Sequence, residues 1–260
     1  MKPRSDSIRA LGGAKLVRTD DGTFTARSGL FDECYHSTRD GALKESLKKH
    51  VEPAFSLTPF KPKLHILDIC FGLGYNTLST LYFLDQKAWR GEVAIYAPEF
   101  DEALVRSLPD FPYPEAFTPY REVVEAAAKG EAYEVNGRRI EVVLGDARDF
   151  LRQTDLRFDI VYQDAFSPKK NPLLWTKEYF AELVARLNSD AVVTTYSSAT
   201  PVRMGMVENG LFVYEPPEGG VRSGTIASLK DDLPLKAIDM ALKKSRNPAA
   251  APLRDKAFVK

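Results

Sequence analysis

Four points along the middle of the chain carry an acid or paired glycines at the end of an apolar run, and together they have the chemistry of a nucleoside site. In "LDICFGLGYN" the run ends at Asp68, and Phe71, Gly72 and Gly74 lead through a turn to Asn76. Glycines at such a turn expose backbone N–H groups at a helix start and let a ligand approach closely. Thr77 stands where the dinucleotide fingerprint has its third glycine, so the loop suits a nucleoside better than a pyrophosphate. "AIYAPEF" ends in Glu99 and Phe100, and an acid there can accept both ribose hydroxyls. "VVLGDA" sets Asp146 and Ala147 after a glycine; the carboxylate either accepts from a purine amine or caps the helix begun by "ARDFL". "FDIVYQDAFSPKKNPLLW" brings Asp164 to the end of the next run. Beyond it lie Phe166, Lys169, Lys170, Asn171 and Trp175, with Pro168 and Pro172 to stiffen the loop. Each feature alone has a plain structural reading as a strand end, a cap or a packing aromatic. Their succession on consecutive strand ends, the edge where open sheets bind ligands, favours a single site.

The elements that must position these residues follow from apolar periodicity. From Lys63 onward short apolar runs alternate with amphipathic segments, which indicates βαβ units and a mostly parallel sheet covered on both faces. "MVENGLFVYEPP" and "GTIASLK" read as a closing antiparallel pair at one edge, and Asn136-Gly137 as a hairpin turn leading into a strand. Upstream, alternating runs around Asp21-Gly22 predict a β-hairpin, and Leu43, Leu47 and Val51 lie at helical spacing from Asp40 to about Ala54. The expected division is a hairpin-and-helix appendage at 1–60, a sheet domain at 61–235 and a basic, proline-containing tail at 236–260, frayed or wrapped on the surface.

Composition narrows the function. Of 260 residues, 44% are hydrophobic and 28% charged, with 36 basic and 36 acidic side chains, so a polyanion must be held by a local patch and not by overall charge. Two cysteines, Cys34 and Cys70, make neither a disulfide framework nor a metal motif; His36 and His65 read as structural, and no metal is expected. Without an apolar N-terminal stretch or a run long enough to span a bilayer, the expectation is a cytoplasmic chain with no membrane partner.

The order Asp-x-x-x-Gly-x-Gly, acid after the second strand, Gly-Asp, then Asp-x-x-x-Pro resembles the class I S-adenosylmethionine-dependent methyltransferases. Cys70 departs from their usual first loop glycine. That resemblance implies an α/β fold with a seven-stranded, mostly parallel sheet, an N-terminal hairpin added to it, and S-adenosylmethionine as cofactor. "FGLGYN", "DAFSPKKNPLLW" and "SSATPVRMGMVENGLF" are more closely similar to the methyltransferase domain of the bifunctional enzyme of tRNA 5-methylaminomethyl-2-thiouridine biosynthesis, over roughly Tyr35 to Leu229. The implied activity is methylation of the amine of a 5-aminomethyluridine at the wobble position, with the tRNA anticodon loop as partner.

On that resemblance Asp164 is the catalytic carboxylate, and Phe71, Gly72, Gly74, Asn76, Glu99, Phe100, Asp146 and Ala147 hold the cofactor. Phe166 and Trp175 offer faces to an unstacked base, and Asn171 stands beside them. Lys169, Lys170, Arg203 and Arg222 meet phosphates. The family's usual flavin-dependent oxidase has no counterpart in this sequence, so the aminomethyl precursor is expected from another route. Two alternatives stand beside this reading: an aminopropyltransferase of the spermidine synthase type, whose Gly-Gly-Gly loop is missing from "DICFGLGYN", and a silent RNA-binding module on the same scaffold.

Overall fold

The computed structural model describes residues 11–219, 221 and 224–258. Two antiparallel strands come first, β1 (Lys15–Arg18) and β2 (Phe24–Arg27), joined through a turn in which Gly22 has φ +84° and the Asp21 carboxylate accepts from Thr19 and Thr23. A two-stranded ribbon is marginal alone. This one continues into a segment, residues 28–40, that crosses the sheet's ligand-binding edge, with Arg27 bridging to Cys34.

Helix α1 (Ala42–Ser46) runs without a break through a π-helical turn, Leu47–Val51, into α2 (Glu52–Leu57). The wider turn adds a residue to the helical circuit and leaves the neighbours Lys49, His50 and Val51 all buried on the side facing the sheet.

The sheet is then laid down by β3 (Lys63–Ile69), α3 (Tyr75–Gln86), β4 (Glu92–Glu99), α4 (Glu102–Ser107), α5 (Arg121–Lys129), β5 (Tyr133–Val135), β6 (Arg138–Leu144), α6 (Ala147–Gln153), β7 (Phe158–Gln163), α7 (Lys177–Val184), β8 (Leu187–Thr195), α8 (Thr200–Val207), β9 (Phe212–Tyr214) and β10 (Thr225–Ser228). Its order is β5-β6-β4-β3-β7-β8-β10-β9, parallel from β6 through β8 and antiparallel at both flanks. Seven of these strands match the expected architecture. The eighth, β5, is the outer arm of the hairpin turned by Asn136 and Gly137, both at positive φ.

Period-two alternation divides the core between the two faces of the sheet. On one face Leu64 and Ile66 of β3 pack with Ile95, Ile160 and α3; on the other Leu67 and Ile69 join Val161, Val193 and α6 to α8. Each such side chain taken fully from water contributes about 1.5–3 kcal/mol. The tail carries α9 (Met240–Arg246) and then returns along α7: Asp255 accepts from Arg148 and Thr176, and Arg254 donates to Glu178.

Candidate active site

At the carboxyl ends of β3, β4, β6 and β7 the loops surround one cavity of about 910 Å3. The first loop leaves β3 at Cys70, in the left-handed region with φ +65°, and passes through Gly72 and Gly74 at φ +56° and +75°. A Cβ on Gly72 would stand 3.0 Å from the Tyr35 ring, and one on Gly74 2.8 Å from Phe71. Backbone conformation and close packing both require glycine at these two positions. Gly72 lines the cavity. Phe71 and Gly74 do not: Phe71 is buried beneath the loop as its support, which corrects the expectation that both touch the ligand.

Glu99, at the end of β4, lines the cavity with one carboxylate oxygen accepting from the N–H of Gly72 and the other from that of Asp101, each at 2.8 Å. Burial raises its pKa against the lowering effect of those backbone bonds. A carboxylate has about four lone-pair sites, so Glu99 keeps acceptor capacity toward the cavity. Phe100 beside it is 70% exposed and lines the opening. Asp146 caps α6, accepting from Arg148 and Asp149 N–H, and it also lines the cavity with Ala147.

Asp164, after β7, sits deeper. Its Oδ2 accepts from Asn76 Nδ2 at 2.8 Å, and its Oδ1 faces His50 Nε2 at 3.4 Å. The other nitrogen of His50 bonds Thr194 Oγ1 at 2.9 Å. Burial pushes the Asp164 carboxyl upward, but His50, His36 and Asn76 together outweigh it and hold it below the ordinary carboxylate range. Asn76 is therefore turned inward as a support of Asp164 and not outward to a ligand, a second correction. The same amide reaches Asp68 Oδ1 at 3.4 Å, while Thr77 donates to Asp68 Oδ2 at 2.8 Å. Asp68 is fully buried, and burial with Asp164 nearby pushes it up to about 7 despite those two bonds. Two carboxyls sharing one amide donor thus have opposite tendencies, Asp164 toward the anion and Asp68 toward the acid.

The wall opposite comes from residues 28–40 and the π turn. Glu45, Lys49, His36, Tyr196 and Ser197 line this end of the cavity, with Lys49 paired to Glu45 and Glu45 accepting from Ser37 N–H at 2.6 Å. Burial lowers the pKa of His36, whose Nδ1 contacts Thr25 Oγ1. At the mouth, Phe31 stacks on Phe166 at 4.6 Å and Tyr35 tilts against it at 4.9 Å. The Ser167 N–H donates to Glu33, tying this strap to the loop after Asp164. Phe166 and Asn171 line the cavity.

Trp175 and Arg203 do not. Trp175 is wholly buried and donates to the Phe166 carbonyl at 2.8 Å, so it holds the loop and offers no face to a base. Arg203 is 7% exposed, donates to Thr225 Oγ1 and the Gly224 carbonyl, and does not line the cavity. Lys169 and Lys170 are exposed, Lys170 lying 3.7 Å from Asp32, while Arg222 lies outside the described residues. His50 was not read from the sequence as a site residue, and neither were Lys49 and Glu45. In "ALKESLKKH" they look like the solvated face of a basic helix, and only the π turn brings Lys49 and His50 inward together.

Among the described residues no helix is long and apolar enough to cross a membrane, and no cluster of three or more His, Cys, Asp or Glu could hold a metal. The cavity instead offers acceptors to hydroxyl and amine groups, beside an anion that leads toward an aromatic mouth.

Comparison with known proteins bears on the family and the fold. A family model described as S-adenosyl-L-methionine-dependent methyltransferase matches residues 114–231. The crystal structure of MnmC2 from Aquifex aeolicus superposes with a TM-score of 0.81 at 35% identity, covering 95% of this chain and 81% of that one. An uncharacterized protein of Methanocaldococcus jannaschii is 32% identical over 224 residues, 83% of this chain and 59% of that protein. The tRNA 5-methylaminomethyl-2-thiouridine biosynthesis bifunctional protein MnmC of Ralstonia nicotianae is 29% identical over 252 residues, 90% of this chain and 36% of that protein. The chain thus spans under two thirds of the length of either curated relative. On the extent and identity of the match to MnmC2, the chain belongs to the MnmC2 family of S-adenosylmethionine-dependent methyltransferases.

Proposed function

We infer that the chain methylates the primary amine of a 5-aminomethyluridine, with or without a 2-thio group, at the wobble position of tRNA, giving 5-methylaminomethyluridine. The observation that carries this reading is the part-buried Asp164 carboxylate, bonded by Asn76, facing His50 and kept anionic in a cavity whose mouth is aromatic. An anion in that position suits an acceptor that begins or ends the reaction as a cation. The names of the MnmC relatives support the choice of tRNA and of the modified uridine.

The donor set suits the cofactor. Gly72 lines the cavity beside Glu99, which has acceptor capacity for a ribose diol, and Asp146 has it for an amine. Glu99, Asp101 and Asp146 line the end of the cavity where Arg148, itself paired to Glu182 and Asp255, is the lining cation, and they favour a cationic guest. When bound, S-adenosylmethionine supplies an electrophilic methyl on a sulfonium. Alignment of the amine with that methyl is the main catalytic demand. Asp164 holds the nitrogen and stabilises the ammonium that methylation leaves. His50 and Asn76 fix the orientation of Asp164, and the hydroxyl of Tyr196, anchored on the Ala165 carbonyl at 2.9 Å, closes the side of the pocket. A lysine-like amine titrates near 10, so presenting its neutral form at pH 7 costs about 4 kcal/mol. Proton loss to water precedes transfer.

The test is transfer of labelled methyl from S-adenosylmethionine to tRNA bearing 5-aminomethyluridine, with carboxymethylaminomethyl tRNA and putrescine as parallel acceptors. Label in 5-methylaminomethyluridine from the first tRNA alone is the expected result. Label in putrescine, or in none of the three while the cofactor binds, overturns the reading.

A further inference from the structure

The Glu45–Lys49 pair has no part in the chemistry above, yet it stands at the acceptor end of the cavity with side chains only 13% and 6% exposed. A buried ion pair contributes little stability compared with apolar side chains of the same volume. This pair also retains hydrogen-bonding capacity. Among the described residues the Lys49 ammonium donates to Glu45 alone, which leaves two of its protons; Glu45 accepts from Lys49 and Ser37 and has lone pairs to spare.

The order of groups along the wall matters. Asp164 faces His50; Lys49 precedes His50 in the π turn; Glu45 lies one turn earlier, bonded to Lys49. With Lys49 bonded to Glu45 and both lining the same cavity as Asp164, the wall offers an acceptor, a donor and an acceptor. A uracil substituted at C5 with an aminomethyl group runs donor at the amine, acceptor at the C4 carbonyl, donor at N3–H.

We propose that Glu45 and Lys49 read the uracil edge of the acceptor, Lys49 Nζ donating to the C4 carbonyl and Glu45 accepting from N3–H. This rests on the aminomethyluridine reading and adds how the base itself is selected. Cytosine turns both contacts against the wall, an amino group toward the ammonium and a bare N3 toward the carboxylate. The C2 substituent lies beyond Glu45, so oxygen and sulfur there are treated alike by this pair.

Two anticodon stem-loops identical except for 5-aminomethyluridine or 5-aminomethylcytidine at the wobble position test it. The readouts are kcat/KM for methyl transfer and the Kd of each RNA with S-adenosylhomocysteine present. The wild type should favour the uridine RNA by on the order of 100-fold. The double variant E45Q/K49M, which leaves no buried charge unpaired, should retain cofactor affinity. It should weaken uridine RNA binding on the order of 10–100-fold and reduce the preference between the RNAs to within about five-fold. A wild type that treats the two RNAs alike overturns the proposal without any variant, and so does a double variant that keeps the full preference. Methylation of neither RNA, with cofactor bound, is a different failure: it removes the aminomethyluridine reading and this proposal with it.

Discussion

Asp164 illustrates how one side chain acquires its role from three partners. Replacing it with Asn removes the charge and keeps the shape, and should lower kcat by on the order of 10²–10³ while cofactor Kd stays within three-fold. A matching loss in both quantities would make it a cofactor ligand instead. His50 acts through Asp164, so His50→Gln should do less at high pH and more in acid. Without His50 the upward push of burial on the carboxyl is less opposed, and the acid limb of the kcat profile moves to higher pH. An unmoved limb would leave His50 a packing residue. At the other end of the cavity, Glu99→Ala should weaken S-adenosylhomocysteine binding by about 10–100-fold in a calorimetric titration, the worth of hydrogen bonds to a charged group. An unchanged Kd would remove the ribose assignment.

At this scale sequence and structure part in an instructive way. Glu99, Asp146 and Asp164 were legible because a strand end is a position that short motifs mark. Trp175 and Arg203 were misread because residue type suggests exposure and says nothing of burial: an indole with a carbonyl to bond, or a guanidinium with a hydroxyl and a carbonyl, packs inside. His50 escaped notice because its partner Thr194 is 144 positions away.

Among the elements, β3 and α3 meet through Asp68, and their junction makes the fold sensitive to pH. Its carboxyl is pushed up to about 7 from an ordinary 3.8. Below about pH 4 it is neutral in both folded and unfolded chains, and its contribution to stability is fully present. As pH rises toward 7 the unfolded chain gains by ionising and the folded one does not, so stability is lost across that window. The difference of about three units sets the loss on the order of 4 kcal/mol. Asp68→Asn forfeits a hydrogen bond at every pH but cannot ionise, so in thermal melts its Tm should rise relative to the wild type between pH 5 and 8. A difference that is flat with pH would show that Asp68 does not titrate there. The parallel strands, the Asn136-Gly137 hairpin and the closing antiparallel pair were all readable from alternation and turn residues. The π turn was not, because one additional residue in a helix leaves the spacing of Leu43, Leu47 and Val51 intact.

For the whole molecule, charge balance and an acidic cavity have a joint consequence. With 36 basic and 36 acidic side chains and a cavity rich in carboxylates, phosphates are kept out of the pocket and must be met at its rim. Arg203 is unavailable, and Lys169 and Lys170 are the cations exposed on the loop beside the mouth. RNA binding should therefore depend weakly on salt, with a log–log slope of about −2 to −3, and K169A/K170A should reduce its magnitude by roughly 1.5. A slope near −6 that the double variant leaves alone would mean that a larger basic surface, such as Lys243, Lys244 and Arg246 on α9, carries the RNA.

The π turn sets local and global interests at odds. Deleting one residue within Leu47–Val51 would let α1 and α2 join as a regular α-helix, the commoner and better-bonded geometry. The same deletion would rotate everything on one side of it by about 100° relative to the other, carrying Glu45 away from the face that holds His50. A shorter chain would make a more contented helix and a blind enzyme, so this helix is a place where selection for thermostability and selection for substrate choice would pull an evolving sequence in opposite directions.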